Sequence, residues 1–255
     1  MKALILAAGY GTRLYPLTKK YPKALLPVAK RPILDYIVGK ISEVKEISGL
    51  VVISNDKFFP QFQQWAKKFN AQPPARIKIL NDGTKTEHDR KGAIGDIYFA
   101  INKENIREDL LIFGGDNLFE DSLDDFMKFA LAKKPAATIA VYDLKQKEQA
   151  SLYGVVQLDA DNKIIDFAEK PRTPQSSLIA TCLYYIPGEK MEYFGAYLKD
   201  GRSDKDSAGS FISWVSKKEA VYSFVFKKRW YDIGDQQVYQ EADRVFNSPR
   251  KGGAY

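Results

Sequence analysis

Hydrophobic positions in the first half of the chain fall into two alternating patterns. Short apolar runs at 3–6, 50–54, 76–80 and 109–113 predict strands buried on both faces. Between them, apolar residues recur at steps of three and four. Ile33, Ile37, Ile41 and Val44 follow Pro32, a favourable first helical residue, and Phe58, Phe62, Trp65 and Phe69 form a second such series. Aromatics at this spacing belong to a helix face turned to the core. Strands alternating with crossover helices predict an α/β fold with a parallel, doubly wound sheet, in which ligands sit beyond the carboxyl ends of the strands.

After residue 136 the rhythm changes. Apolar runs at 137–143, 153–158, 164–169, 178–186 and 221–226 follow one another, with a tight turn at Asp159-Ala160-Asp161-Asn162. This half predicts antiparallel additions to the sheet that carry a second substrate. No Pro/Gly/Ser-rich linker separates the halves. The expected organisation is one domain over 1–247, with a nucleotide-binding subregion at 1–135, a second-substrate subregion at 136–247 and a frayed tail at 248–255.

Composition narrows the classes. With 255 residues, 45% hydrophobic and 13% aromatic, the chain can bury a large core. No window approaches the apolar length of a membrane span, and Met1-Lys2 leads straight into the first strand, so neither a membrane partner nor a signal peptide is expected. One cysteine, Cys182, excludes an intramolecular disulfide and fits a reducing cytoplasm, and one histidine, His88, argues against a zinc site. The net charge is +7, but acidic residues are interspersed and the longest basic run is Lys227-Lys228-Arg229. That pattern suits attraction of small anions and not nucleic acid.

The chemistry concentrates in residues 7–27. Ala7-Ala8-Gly9-Tyr10-Gly11-Thr12-Arg13 directly follows the first strand, and Gly9 and Gly11 let backbone N–H groups face outward. Arg13 and Lys23 add two cations to the same loop. Bare donors with fixed positive charge at a strand end make a polyphosphate cradle for a nucleoside triphosphate. A dinucleotide fingerprint would need a third glycine where Leu14 stands, and Pro16, Pro22 and Pro27 keep the chain irregular. Asp116, in Phe113-Gly114-Gly115-Asp116-Asn117, lies just beyond an apolar strand. It reads as a magnesium ligand or as the cap of a following helix. The polar stretch 81–91 reads as a lid over the nucleotide or as a solvated loop.

Residues 6–14, Pro16-Leu17-Thr18 and Pro22-Lys23 resemble the signature of the sugar-1-phosphate nucleotidyltransferases, the pyrophosphorylases that make nucleotide sugars, and the resemblance runs through about residue 245. It implies a Rossmann-like, doubly wound mixed sheet of the nucleotide-diphospho-sugar transferase type. Ala7, Ala8, Gly9, Gly11, Thr12, Arg13 and Gly92 would then hold the nucleotide, with Arg13 and Lys23 catalytic. Asp116 and Asp232, the latter in Trp230-Tyr231-Asp232-Ile233-Gly234, would hold Mg2+, while Asp235 would cap the next helix. Gly154, Glu169, Lys170 and Thr181 would bind the sugar phosphate. The implied reaction is in-line attack of the sugar-1-phosphate on the α-phosphate, giving a nucleotide sugar and pyrophosphate without a general base.

Departures from the family pattern leave the substrates open. Lys91-Gly92-Ala93-Ile94-Gly95-Asp96 differs from the common base-contacting loop, and Ser177 and Cys182 stand where relatives often carry Asn and Gly. Cys182 itself reads as a small core residue. Two alternatives stand beside the main reading. One is cytidylyl transfer to a non-sugar phosphomonoester such as phosphocholine, with Tyr184, Tyr185, Tyr193 and Tyr197 available for an aromatic cage. The other is a catalytically silent nucleotide-sugar sensor. Repeated hexapeptides of a left-handed β-helix are absent; relatives often form dimers or tetramers, which leaves a homo-oligomer open for this chain.

Overall fold

The computed structural model describes residues 1–70, 77–201 and 204–248. The first half alternates strand and helix: β1 (Lys2–Leu6), the short strands β2 (Pro27–Val28) and β3 (Arg31–Pro32), α1 (Ile33–Ser42), β4 (Gly49–Ser54), α2 (Phe59–Asn70), β5 (Ile77–Asn81), α3 (Ala93–Lys103), β6 (Leu110–Gly114), β7 (Asn117–Phe119) and α4 (Leu123–Ala132). The second half contains β8 (Ala137–Asp143), β9 (Gly154–Leu158), β10 (Ile164–Glu169), β11 (Leu178–Ile186), α5 (Glu192–Lys199), α6 (Ala208–Ser216), β12 (Val221–Phe226), β13 (Trp230–Asp232) and α7 (Gln236–Asn247). The expected strand at 76–80 is shifted by one residue, with Arg76 outside the described residues. Of the tail expected at 248–255, only Ser248 lies within them.

Among the described residues nine strands form one sheet in the order β10-β9-β11-β6-β1-β4-β5, with β8 paired to β11 and β12 to β8. β1 lies between two parallel neighbours, β4 and β6, and β5 extends the parallel set. This is the doubly wound arrangement expected for alternating strands and helices. β9 and β10 form an antiparallel hairpin across the 159–162 turn, where the Asp159 amide donates to the Lys163 carbonyl and Asn162 takes a φ of 61°. β11 runs antiparallel to both β6 and β8. One strand departs from the expected antiparallel additions: β12 runs parallel to β8. The physical reason is the connection, because the chain reaches β12 directly from the crossover helix α6.

Alternation along β1 shows how the sheet divides the core. Ala3 and Ile5 pack on one face with Leu34, Ile37, Phe62 and Phe126 of α1, α2 and α4. Leu4 packs on the other with Ile97, Phe194 and Phe211 of α3, α5 and α6. A third cluster joins Leu14, Leu26 and Val28 of the long loop to Ile33, Leu118, Ile233 and Ala242. That cluster pulls the C-terminal segment against the loop after β1, so residues more than 200 positions apart share one end of the sheet. No described helix is long and apolar enough to cross a membrane.

Phe113 is buried in the middle of this arrangement, one residue before the glycines that lead to Asp116. Phe113→Ala should lower the unfolding free energy by about 3–5 kcal/mol, measured by urea denaturation. A loss below about 1 kcal/mol would show that the site can collapse around the missing ring.

Candidate functional site

The loop after β1 is held open by its own backbone bonds. The Ala7 amide donates to the Ile53 carbonyl at 3.0 Å, and the Asn55 side-chain amide donates to the Ala8 carbonyl at 2.8 Å. Gly11 takes a left-handed φ of 62°, and the Thr18 hydroxyl donates to its carbonyl at 2.6 Å. A cavity of about 460 Å³ opens above this loop. Ala7, Ala8, Gly9, Gly11, Thr12, Arg13, Lys23, Gly92, Asp116 and Lys170 all line it, so most of the sequence-predicted residues meet there. It sits at the carboxyl ends of β1 and β6, where an open α/β sheet places its ligands.

Asp116 reaches the cavity because the chain passes close over β1. The Gly115 amide donates to the Leu6 carbonyl at 2.9 Å, and a Cβ at Gly115 would lie 2.7 Å from that oxygen. Asp116 is followed by β7 and not by a helix, so it caps nothing. Its Oδ2 accepts from Lys23 Nζ at 2.6 Å, and its Oδ1 accepts from the Asn117 side-chain amide at 2.7 Å. Asn117 Oδ1 accepts in turn from the Trp230 indole N–H at 2.7 Å. β13 pairs antiparallel with β7, which sets Asp232 opposite Asn117, and the Ile233 amide donates to the Asp116 carbonyl at 2.9 Å. Asp235 accepts from the Val238 amide and caps α7.

Electrostatics separates the two carboxylates. Burial raises the Asp116 carboxyl, but the Lys23 ammonium outweighs it and holds the group below its ordinary range. Asp232 is pushed up to about 6 by burial and by Asp116 facing it, against the pull of Lys23 and Arg13. Two crowded carboxylates of this kind suit a divalent cation. Among the described residues no three His, Cys, Asp or Glu side chains converge as a complete metal cluster. Magnesium asks for less, since it takes one or two carboxylates and completes its shell with phosphate oxygens and water.

The residues expected at the sugar divide. Lys170 lines the cavity with a φ of 45°, and Glu169 lies 3.9 Å from its ammonium. Glu169 is pressed against Gly154 and Gly209, where an added Cβ at either position would crowd its Oε2. Burial raises its carboxyl, partly offset by a hydrogen bond from Ser207. Thr181 is buried, and its hydroxyl donates to the Ala140 carbonyl at 3.0 Å, away from the cavity lining. Cys182, expected in the core, packs against it while half-buried at the cavity wall. Its φ of 54° and a register shift in β11 between Ala180 and Tyr184 turn it into the cavity wall. Burial pushes its thiol up to about 12, so it is no nucleophile. Tyr184, Tyr185 and Tyr197 are buried in the core and make no cage around the cavity.

Sequence reading did not single out Asp82 as a site residue, and placed Asp96 only within an atypical loop. Both line the cavity, Asp82 just past β5 and Asp96 in the first turn of α3. The available signal was their place at the end of a parallel strand and at the start of the next helix. The 81–91 stretch folds along the cavity rim. A capping box joins Thr86 to Asp89, Thr12 donates to Glu87 at 3.3 Å, and Arg90 pairs with Asp206 at 2.6 Å.

The sequence model of the nucleotidyl transferase family matches residues 2–248. This chain belongs to that family. It is 31% identical over 245 residues to the bifunctional protein GlmU of Methanocaldococcus jannaschii, covering 96% of this chain and 54% of that one. It is also 31% identical over 239 residues to the GlmU of Methanococcus maripaludis, covering 92% and 51%. The chain thus spans about half the length of the curated relatives it matches. A solved UDP-glucose pyrophosphorylase complexed with UDP-glucose superposes with a TM-score of 0.80 at 21% identity, covering 96% of this chain and 97% of that one. The shared fold agrees with the doubly wound sheet expected from the pattern of strands and helices.

Burial and the facing Asp82 push the Asp96 carboxyl up to about 8, against the pull of Lys91. The folded state therefore keeps a proton that the unfolded chain, with an ordinary carboxyl near 4, gives up. Stability of this nucleotidyl transferase should fall as pH rises from about 4 to about 8, by at most about 1.4 kcal/mol per pH unit from this group. Urea midpoints measured across that window should decline less in Asp96→Asn; an unchanged slope would contradict the assignment.

Proposed function

We propose that the protein transfers a nucleotidyl group from a nucleoside triphosphate to a sugar-1-phosphate, releasing pyrophosphate. The observation that carries this reading is the convergence of Arg13, Lys23 and Asp116 on a bare backbone loop above β1 and β6, with Asp232 beside them. Few other tasks need two cations and a carboxylate on the wall of one cavity with a second carboxylate placed behind it. The match with a protein solved with UDP-glucose supports the same substrate class. A cytoplasmic setting, where nucleoside triphosphates are available, fits this reading.

An oxygen of the acceptor phosphate attacks the α-phosphorus in line, a new P–O bond forms, and pyrophosphate departs with the electrons of the broken bond. The acceptor dianion is already a nucleophile, so no side chain need remove a proton. The work of the protein is to hold two mutually repelling anions together and to stabilise charge on the phosphate oxygens. Arg13 holds the leaving β- and γ-phosphates, and Lys23 exchanges its bond to Asp116 for the α-phosphate or the acceptor phosphate. Asp116 and Asp232 are the residues that would hold Mg2+, which supplies charge neutralisation on the phosphate oxygens when bound. Glu169 accepts hydroxyl donors from the sugar, and Lys170 reaches its phosphate.

Pyrophosphate release, scored over five nucleoside triphosphates and a panel of sugar-1-phosphates and phosphocholine, tests the proposal. Lys23→Ala and Asp116→Ala should each lose on the order of 10²–10³ in kcat while keeping a native circular dichroism spectrum. Near-normal turnover in either variant would remove that residue from the mechanism. Gly209→Ala should displace the Glu169 carboxylate and raise the acceptor KM about tenfold, leaving the nucleotide KM little changed. Equal effects on both substrates would contradict the placing of Glu169 at the sugar.

A further inference from the structure

The cavity contains a second acidic pair that phosphoryl transfer does not use. Asp82 and Asp96 are only 5% and 7% exposed, and both line the cavity together with Gly9, Tyr10 and Gly11. Asp82 is fixed in place. The Thr84 amide and hydroxyl each lie 2.7 Å from its Oδ1, and the hydroxyl is also 3.0 Å from Oδ2. The Tyr10 hydroxyl donates to Thr84 Oγ1 at 3.4 Å, which ties this cluster to the phosphate-binding loop.

Asp96 is different. Its Oδ1 is buried and has no hydrogen-bond partner among the described residues. An orphaned buried acceptor of this kind is destabilising, and a ligand that supplies a donor relieves the cost. Asp96 is held against Asp82, to which its carboxyl hydrogen-bonds, and Lys91 is the cation that acts on it, not Lys23. Arg90, which also lines the cavity, is occupied by Asp206 through two hydrogen bonds of 3.1 and 2.6 Å. Asp96 holds a proton at neutral pH, and the pair faces the cavity with unused acceptor capacity.

Nucleobases differ in how well they answer such a surface. Guanine offers two adjacent donors, N1–H and the 2-amino group, which a carboxylate accepts side by side. Adenine and cytosine offer one amino group next to a ring acceptor. Uracil and thymine offer a single imide N–H between two carbonyl oxygens, and those oxygens would face acceptors. Charge-assisted bonds to a carboxylate are about twice as strong as neutral ones, which widens the gap.

We propose that Asp82 and Asp96 are the base-reading element of the cavity and that they select guanine nucleotides over uracil and thymine nucleotides. This rests on the cavity being a nucleotide site, as the proposed function holds, but not on any turnover. Guanine would supply the missing donor to Asp96 Oδ1, and Asp82, braced by Thr84, would fix the approach.

Isothermal titration of the full chain with GTP, ITP, ATP, CTP, UTP and dTTP, in the presence of magnesium, tests this. GTP should bind at least about tenfold more tightly than UTP or dTTP, the usual scale of a paired-donor contact. ITP, which lacks the 2-amino group, should also bind more weakly than GTP, by about tenfold. Asp96→Leu and Asp82→Leu should each erase the preference for GTP, because each removes both acceptor oxygens of its side chain. Binding of UTP or dTTP as tight as GTP, equal binding of ITP and GTP, a preference that survives both substitutions, or no nucleotide binding at all would each overturn the proposal. The ITP comparison needs no variant, so it decides even if both substitutions prevent folding. GTP-selective binding without pyrophosphate release would sink the transferase reading and leave this one standing. Turnover with UTP or dTTP in preference to GTP would do the reverse.

Discussion

Lys23 and Asp116 meet at 2.6 Å, half-buried in the cavity wall, and the rest of the site is arranged around the need to keep such charges together. Removing either partner would leave the other buried and uncompensated, which is the costly way to break an ion pair. The pair also joins two distant parts of the chain, the proline-rich loop after β1 and the glycine turn after β6. Asp232 adds a second negative charge beside it, held there by the pairing of β13 with β7 and by the bond from the Ile233 amide to the Asp116 carbonyl. Like charges crowded in this way store an electrostatic demand that incoming phosphate and a divalent cation can answer.

The sheet makes that crowding affordable. β1 lies between β4 and β6, buried on both faces by apolar side chains, and its carboxyl end delivers the loop of residues 7–13 to the wall of the cavity. A third apolar cluster, including Leu14, Ile233 and Ala242, clamps the C-terminal segment on the loop. Function is thereby placed on loops while rigidity is left to the strands, the usual division of labour in α/β proteins.

Much of this was legible in the chain. The phosphate-binding loop is contiguous, so its glycines and cations could be read in order. β8, β10, β11 and β12 fall where apolar runs begin and end, because buried strands have sharp polar boundaries. What was not legible depends on non-local geometry. Thr181 was expected at the sugar, but the irregularity in β11 reverses which residues face the cavity, and Cys182 takes the wall while Thr181 bonds to Ala140. No pattern of alternation reveals a bulge of that kind. The direction of β12 followed from the helix before it and not from its own residues. Asp82 and Asp96 became a pair only once β5 and α3 brought them together, since 14 positions separate them in sequence.

In the proposed reaction the bond broken lies between the α- and β-phosphates, and the acceptor phosphate takes the nucleotidyl group. Phosphorus NMR of the full protein with magnesium, each nucleoside triphosphate and a mixture of sugar-1-phosphates follows every phosphorus atom at once. Pyrophosphate should appear in step with a new diphosphate diester, at the expense of the triphosphate and one sugar-1-phosphate. Release of orthophosphate from the γ-position, or a triphosphate that binds and stays intact with every acceptor, would contradict it.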